Sequence, residues 1–263
     1  MMMPRLTAGK TFERSPGSTA LEDAGVYVLT SGRRTPSEMF CVADAGPLGY
    51  LAIAAHGHAD ALSFALSVGG QPVIVDSGTF AYHGHENWRA YFRGTKAHNT
   101  VNIDGLDQAD GVLPFIWRGK VNSQVLDWNP TPSGGRLHAE HDGYTRIEGS
   151  PIHQRELELD QQQLTISDQV QGEGSHHVEF RLHFSPDCQM RIDGDTCYVS
   201  WPAGDLQIHL DSQLRWRLCR ADHDGGWYSP HFGTRVPSTT MIGEIETRLP
   251  IAFNTTIEVH HED

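Results

Sequence analysis

The segment AAHGHADALSF, residues 54–64, sets two imidazoles and a carboxylate, His56, His58 and Asp60, at alternating positions. Imidazole nitrogens and carboxylate oxygens are zinc ligands, and a histidine in a cleft moves protons near neutral pH. Farther along, VIVDSGTF carries Asp76 and KAHNTVNID carries His98. In an extended strand alternate side chains share a face, so His56, His58 and Asp60 are expected on one side of a strand, and three ionisable groups do not line a core. Asp76 stands beside a Ser-Gly turn, where a carboxylate projects past the sheet rim, and His98 opens the strand that follows. Two imidazoles and one carboxylate from three neighbouring strands, His58, Asp76 and His98, can form a Zn²⁺ shell with a fourth position for water. Asp60 reads as a residue that orients a histidine rather than as a ligand. The competing reading is that these histidines are satisfied core residues and that His83, His85 and Glu86 in YHGHE belong to a surface loop.

The elements that must hold these groups are strands. AGVYVLTS, EMFCVAD, GYLAIAA, LSFALSV, QPVIVDS, AHNTVNID, QQLTISDQV, HHVEFRLHF, TCYVSW, DLQIHL and TTIEVHH are short β-branched or alternating runs. Turn-forming clusters such as VGGQP, IDGLDQADG, NPTPSGG and QGEGS separate them. No helical pattern exceeds about three turns by the 3.6-residue test. The pattern predicts an all-β chain, a large antiparallel β-sandwich. Residues 1–20, rich in Gly, Pro, Ser and Thr, read as an arm or linker, residues 21–263 as the sandwich, and the first strand is expected at about Val26.

Composition excludes several partners. With 33 acidic and 20 basic side chains the net charge is −13, which argues against nucleic acid and requires any anionic ligand to be held by local cations. Cys41, Cys188, Cys197 and Cys219 form no CxxC pair, so neither a zinc ribbon nor a redox motif is signalled, although Cys188 and Cys197 could face each other across a hairpin. No apolar run approaches the ~18 residues of a membrane span, and the N-terminal residues lack the apolar stretch of a secretory signal. The terminal His260 and His261 read as exposed.

Residues 24–110 resemble the C-terminal β-sandwich domain of the heparinase II/III-like polysaccharide lyases. The likeness rests on three blocks in order: DAGPLGYLAIAAHGHADALSF, GGQPVIVDSGTFAY and WRAYFRGTKAHNTVNIDGLDQAD. The later WYSPHFGTRVP and GEIETRLPIAFNTTI are also similar to it. The resemblance implies zinc held by His58, Asp76 and His98, and His56 facing the substrate cleft. It implies cleavage of a uronate-containing glycan by β-elimination, in which the proton α to a carboxylate is removed while the developing oxyanion is stabilised. It also implies a periplasmic or extracellular bacterial setting. Members of the family carry an (α/α) helical toroid ahead of the sandwich, which supplies the catalytic tyrosine and a group that neutralises the carboxylate. No toroid is read here, so the expectation is a sandwich that is incomplete as an enzyme and whose partner is a toroid domain or chain, besides an acidic polysaccharide or oligosaccharide.

Other residues keep two readings. Tyr82, Arg89 and Arg93, with Trp88 and Tyr91, could line the cleft, guanidinium groups meeting uronate carboxylates and rings stacking on sugars. Equally, Trp88 and Tyr91 could pack, with the arginines paired to neighbours such as Glu86. Asn99 could support the metal ligand or fix the turn. Asp104-Gly105 is a favoured hairpin pair, and the histidines of GSHHVEF read as structural or exposed. Two further functions stay open: a non-catalytic zinc-stapled module that contacts carbohydrate or is purely structural, and a zinc hydrolase using the open metal position.

Overall fold

The computed structural model describes residues 17–49, 54–119 and 121–259. In chain order the protein lays down β1 (Thr19–Leu21), β2 (Val26–Ser31), β3 (Met39–Asp44), β4 (Phe64–Val68), β5 (Gln71–Ile74), helix α1 (Glu86–Arg93) and β6 (Val101–Ile103). A small hairpin of β7 (Asp110–Leu113) and β8 (Ile116–Arg118) is followed by β9 (Ser123–Thr131), β10 (Gly134–His141), β11 (Ile152–Asp160), β12 (Gln163–Gln171) and β13 (Ser175–Phe184). Then come β14 (Gln189–Asp193), β15 (Thr196–Trp201), β16 (Gly204–His209), β17 (Arg215–Arg220), β18 (Trp227–His231), β19 (Thr234–Pro237), β20 (Thr239–Arg248) and β21 (Ile251–Val259).

Two antiparallel sheets make the sandwich. The first runs β1-β2-β3-β4-β5-β13-β20-β17, with β6 also paired to β13, and the second runs β14-β15-β16-β21-β12-β11-β10-β9. Period-two alternation decides which face each strand buries. In β21, IAFNTTIEV buries Ile251, Phe253, Thr255, Ile257 and Val259 and leaves the residues between them more open. Its apolar face meets those of β2, β4 and β13 in one cluster that includes Leu29, Leu66, Phe180 and Phe253. Fully burying each such side chain contributes about 1.5–3 kcal/mol, so this shared core fixes the two sheets face to face.

The antiparallel sandwich expected from the sequence is the fold observed. The first strand lies earlier than expected: Thr19–Leu21 pairs with β2, and the Ser18 hydroxyl accepts the Thr30 N–H at 3.0 Å. The rest of the expected arm, residues 1–16, and the terminal His260 and His261 lie outside the described residues, as do residues 50–53 of the expected strand GYLAIAA. All four cysteines are buried free thiols, and burial pushes Cys41 and Cys197 up to about 12. Among the described residues no helix is long and apolar enough to cross a membrane.

Candidate active site and metal centre

The expected strand through His56, His58 and Asp60 does not form. Residues 54–63 are a series of turns, because Ala54, His56 and Leu62 all take left-handed backbone, with φ of 48°, 60° and 59°. Non-glycine residues in that region cost of order 1–3 kcal/mol each and persist only where surroundings hold them. The surroundings do so here. Gln108 brackets Ala61, its Oε1 accepting the Ala61 N–H at 2.8 Å and its Nε2 donating to the Ala61 carbonyl at 3.0 Å. Trp117 Nε1 donates to the Gly57 carbonyl at 2.8 Å. A Cβ on Gly57 would fall 2.7 Å from the Gly49 backbone, so only glycine lets the two segments cross there. The consequence is a split of side chains expected on one face: His56 is exposed, whereas His58 and Asp60 are half-buried.

Asp76 and His98 stand where the spacing put them, at the end of β5 and ahead of β6. Asp76 closes a turn in which its Oδ1 accepts the Gly78 N–H at 2.8 Å. Gly78 is left-handed at φ 85°, and a Cβ on it would sit 2.4 Å from the Ser229 carbonyl oxygen. His98 follows a 3-10 turn at Thr95–Ala97 and is fully buried. Its Nδ1 lies 2.6 Å from Asp76 Oδ2, while 48% of the Asp76 side chain stays exposed. Asn99 ties three strands together beneath this pair, donating to the Phe64 and Val75 carbonyls at 2.7 and 2.9 Å and accepting the His183 N–H at 2.7 Å. It therefore both supports His98 and fixes the turn.

His58, Asp60 and His98 each bring one donor atom within 4.8 Å of the others. The His58 and His98 rings are 5.2 Å apart. Of the three expected ligands His58 and His98 fall in this group, Asp60 takes the third place, and Asp76 reaches it through its bond to His98. Charge is unevenly spread. Burial and the neighbouring His98 charge push His58 down to about 3. Burial also opposes charge on His98, but the Asp76 carboxylate overrides it and lifts His98 to about 9, while His98 in turn holds Asp76 at about 2. Burial, with Asp44 and Asp76 close by, pushes Asp60 up to about 7 against the pull of His98. Three carboxylates thus face one imidazolium. His98 Nε2 is buried with no hydrogen-bond partner. An orphaned imidazole nitrogen among excess carboxylates fits a divalent cation, which would supply the missing positive charge.

The arginines make contacts that spacing does not reveal. Arg89 and Arg93 lie four apart on α1 with their side chains buried, and among the described residues neither pairs with a carboxylate. Arg93 donates to the Leu113 and Ile116 carbonyls and stacks on Trp117, its Cζ 3.8 Å from the ring centre. Arg89 Nε donates to the Pro114 carbonyl at 3.1 Å and its Nη1 lies 3.1 Å from His58 Nε2, whereas Nη2 has no partner. Both guanidinium groups therefore hold the β7–β8 hairpin, and neither makes the expected pairing with Glu86. Above them sits an aromatic group: the exposed His56 ring is 5.5 Å from Tyr82 and 5.2 Å from Phe115, and Arg89 lies under both rings. Phe232, 59% exposed at the tip of the β18–β19 hairpin, extends this wall, 4.8 Å from Tyr82. Trp88 and Tyr91 pack against Phe80 and Phe92 rather than lining it.

Two groups escape a reading by spacing alone. Phe115 and Phe232 join the wall from segments far from the histidines in sequence, and aromatics in turn segments are the available signal. Asp60 reads as an orienting residue only so long as it is placed on a strand.

Solved structures with this architecture are known. The heparan sulfate lyase HepC from Pedobacter heparinus superposes with a TM-score of 0.77 at 19% identity, over 95% of this chain and 37% of that one. A heparinase III superposes at 0.74 and 18% identity, over 92% of this chain and 35% of that one. The 4-alpha-glucanotransferase from Thermococcus litoralis, at 0.53 and 11% identity, shares the fold over 93% of this chain and 40% of that one. The chain thus spans little more than a third of the length of the lyases it resembles. No curated protein sequence matches it. The family model described as "Heparinase II/III-like, C-terminal" matches residues 13–259, and the chain belongs to that family.

Proposed function

We propose that this chain is the sandwich portion of a polysaccharide lyase that cleaves a uronate-containing glycan by β-elimination. In that reaction the C5–H bond and the C4–O glycosidic bond break, a C4=C5 double bond forms, and the departing oxygen takes a proton. His56 is the residue assigned to move a proton, because its exposed ring lies on an aromatic wall that can stack on sugar rings, whereas His58 is half-buried and His98 fully buried. Arg89, buried beneath that wall, and Arg93, stacked on Trp117 one turn along α1, would supply positive potential where negative charge builds on the uronate carboxyl. The single observation that carries the reading is the exposed His56 on an aromatic wall with the buried Arg89 guanidinium beneath it.

His58, Asp76 and His98, with Asp60 in reach, would hold the metal. A bound Zn²⁺ supplies positive charge and a rigid cross-link among the segments that shape the cleft. Activity is proposed for a protein in which a helical toroid completes the site. The net charge of −13 supports a glycan of low sulfation. The likeness to a heparan sulfate lyase supports an acidic polysaccharide as the general substrate class.

The test is ultraviolet absorbance of the unsaturated uronate product, followed with a panel of uronate glycans and a toroid supplied in the same chain or separately. His56→Ala should lower the rate by about 10²–10⁴, as loss of a proton-transfer group does. Undiminished product formation in that variant would overturn the role of His56. Glycan binding with no product under any of these conditions would favour the zinc-stapled carbohydrate-binding module.

A further inference from the structure

A chain of buried polar groups crosses the sandwich behind the site, and it ends on the two segments that carry the metal-facing histidines. In β11 the alternation of IHQRELELD turns His153 and Arg155 to the same inner face as Leu157 and Leu159. Strand register does the rest: His141 of β10 stands opposite His153, and Asp168 of β12 stands opposite Arg155. All four are buried, His153 at 0% and Arg155 at 2% exposure.

The hydrogen bonds have one direction. The Gly143 N–H donates to His141 Nδ1 at 3.1 Å, so the proton of this imidazole sits on Nε2. That nitrogen lies 3.2 Å from His153 Nδ1, and His153 Nε2 in turn lies 2.7 Å from Asp168 Oδ1. Burial holds both imidazoles neutral, which this chain of donors requires. Asp168 receives Arg155 as a fork, Nε at 2.8 Å and Nη2 at 3.0 Å. The remaining Arg155 nitrogen, Nη1, donates to two backbone carbonyls, Leu62 at 2.7 Å and Asn99 at 2.6 Å.

Both carbonyls belong to segments of the site. Leu62 is the left-handed residue that ends the 54–63 loop, two positions after Asp60, and Asn99 directly follows His98. One guanidinium nitrogen therefore bridges the two ligand-bearing segments from inside the core, and the Asp168–His153–His141 chain fixes where that nitrogen stands.

We propose that Arg155 is a positioning residue: held by Asp168, it sets the separation of the His58–Asp60 loop from His98 and so the geometry of the metal-facing cluster. Lysine at this position keeps the charge but offers no fork, so it cannot span Asp168 and both carbonyls together. A merely structural Arg155 would affect stability without altering the cluster in the folded protein.

The inference rests on the metal reading only for its first readout. Co²⁺ is titrated into the wild-type chain, Arg155→Lys, Asp168→Asn and Leu206→Ala, and its d–d absorption spectrum and its affinity against a competing chelator are recorded. Leu206 is a buried residue of β16, separated from β11 by β21 and β12, and its truncation destabilises without touching the relay. Arg155→Lys and Asp168→Asn should shift the Co²⁺ spectrum and weaken binding at least tenfold at temperatures where both are folded, while Leu206→Ala keeps the wild-type spectrum and affinity. Wild-type spectrum and affinity in folded Arg155→Lys would overturn the proposal. If the wild-type chain takes up no Co²⁺, the metal reading fails, and the ring-nitrogen NMR shifts of His58 and His98 decide the positioning role: a change in Arg155→Lys but not in Leu206→Ala supports it, and unchanged shifts overturn it.

Discussion

Among the described residues two places gather histidine and carboxylate donor atoms within 4.8 Å: His58, Asp60 and His98 at the end of the first sheet, and His177, Glu179 and Glu244 on the outer face of β13 and β20. By distance they are alike. They differ in what surrounds the carboxylates. Glu179 is paired with Lys96 at 3.1 Å and Arg181 at 2.7 Å, and Glu244 with Arg215 and, at 3.7 Å, with Arg217. Asp224 closes the network by bridging Arg181 and Arg217. In the first cluster His98 is the one positive group hydrogen-bonded to a carboxylate, and it keeps an orphaned nitrogen. Carboxylates with no arginine or lysine bonded to them among the described residues, rather than the proximity of ligand types, mark the first as a place for a metal, although Arg89 touches His58 there. The second is an ion-pair network whose positive charges would repel one.

The largest effect that sharpens this contrast is metal-linked stability. Zn²⁺ at about a thousand times its dissociation constant should stabilise the folded chain by ~4 kcal/mol, read as a raised midpoint in denaturant. The increment should vanish in His98→Ala and persist in His177→Ala. Next in size is the internal pair of the second cluster. Arg181 is 0% exposed and Glu179 5%, so Arg181→Ala leaves a buried carboxylate with less of its charge offset and should cost about 3–5 kcal/mol, whether or not a metal is present. Equal loss with and without zinc is the outcome to look for in thermal melts.

Acid should separate the clusters further. Although partial burial opposes it, the Arg181 and Arg217 charges hold Asp224 well below the usual carboxylate range. Its contribution is therefore complete above the unfolded value near 4 and is lost as the pH falls through the lower folded value. Asp224→Asn should remove that part of the acid-induced loss of stability. The smallest effect has the opposite sign. Burial opposes charge on His176, but its 2.7 Å bond to Asp104 leaves the pKa raised. Stability from this pair is full below about 6.5 and fades as the pH rises through the folded value, so Asp104→Asn should flatten the stability profile on the alkaline side of neutrality.

Much of this arrangement was legible along the chain. Alternating runs such as TTIEV and FALSV reported their own buried faces, and Asp104-Gly105, with φ of 55° and 68°, makes the tight turn its residue types signal. The positions of Asp76 after β5 and His98 before β6 are readable because strand ends and starts are local features. The 54–63 loop reads as a strand in sequence because its conformation is imposed from elsewhere: Gln108, Trp117 and Arg155 hold it, the last across 93 positions. The chain leaves Arg89 and Arg93 open between facing a ligand and pairing with Glu86, because composition cannot show that backbone carbonyls of a hairpin engage them. The parity of β11 did carry a signal for the buried relay, since His153 and Arg155 share the face of Leu157 and Leu159, and a cation on an apolar face needs a partner inside.

The most direct test of the account is metal stoichiometry by elemental analysis of the purified chain loaded with Zn²⁺ and passed through a weak chelator. A single zinc per chain is expected in the wild type and in His177→Ala and Glu244→Gln, with its loss in His58→Ala and His98→Ala. Zinc retained in His98→Ala, or lost in His177→Ala, would contradict the claim that charge balance, and not proximity, tells the two clusters apart.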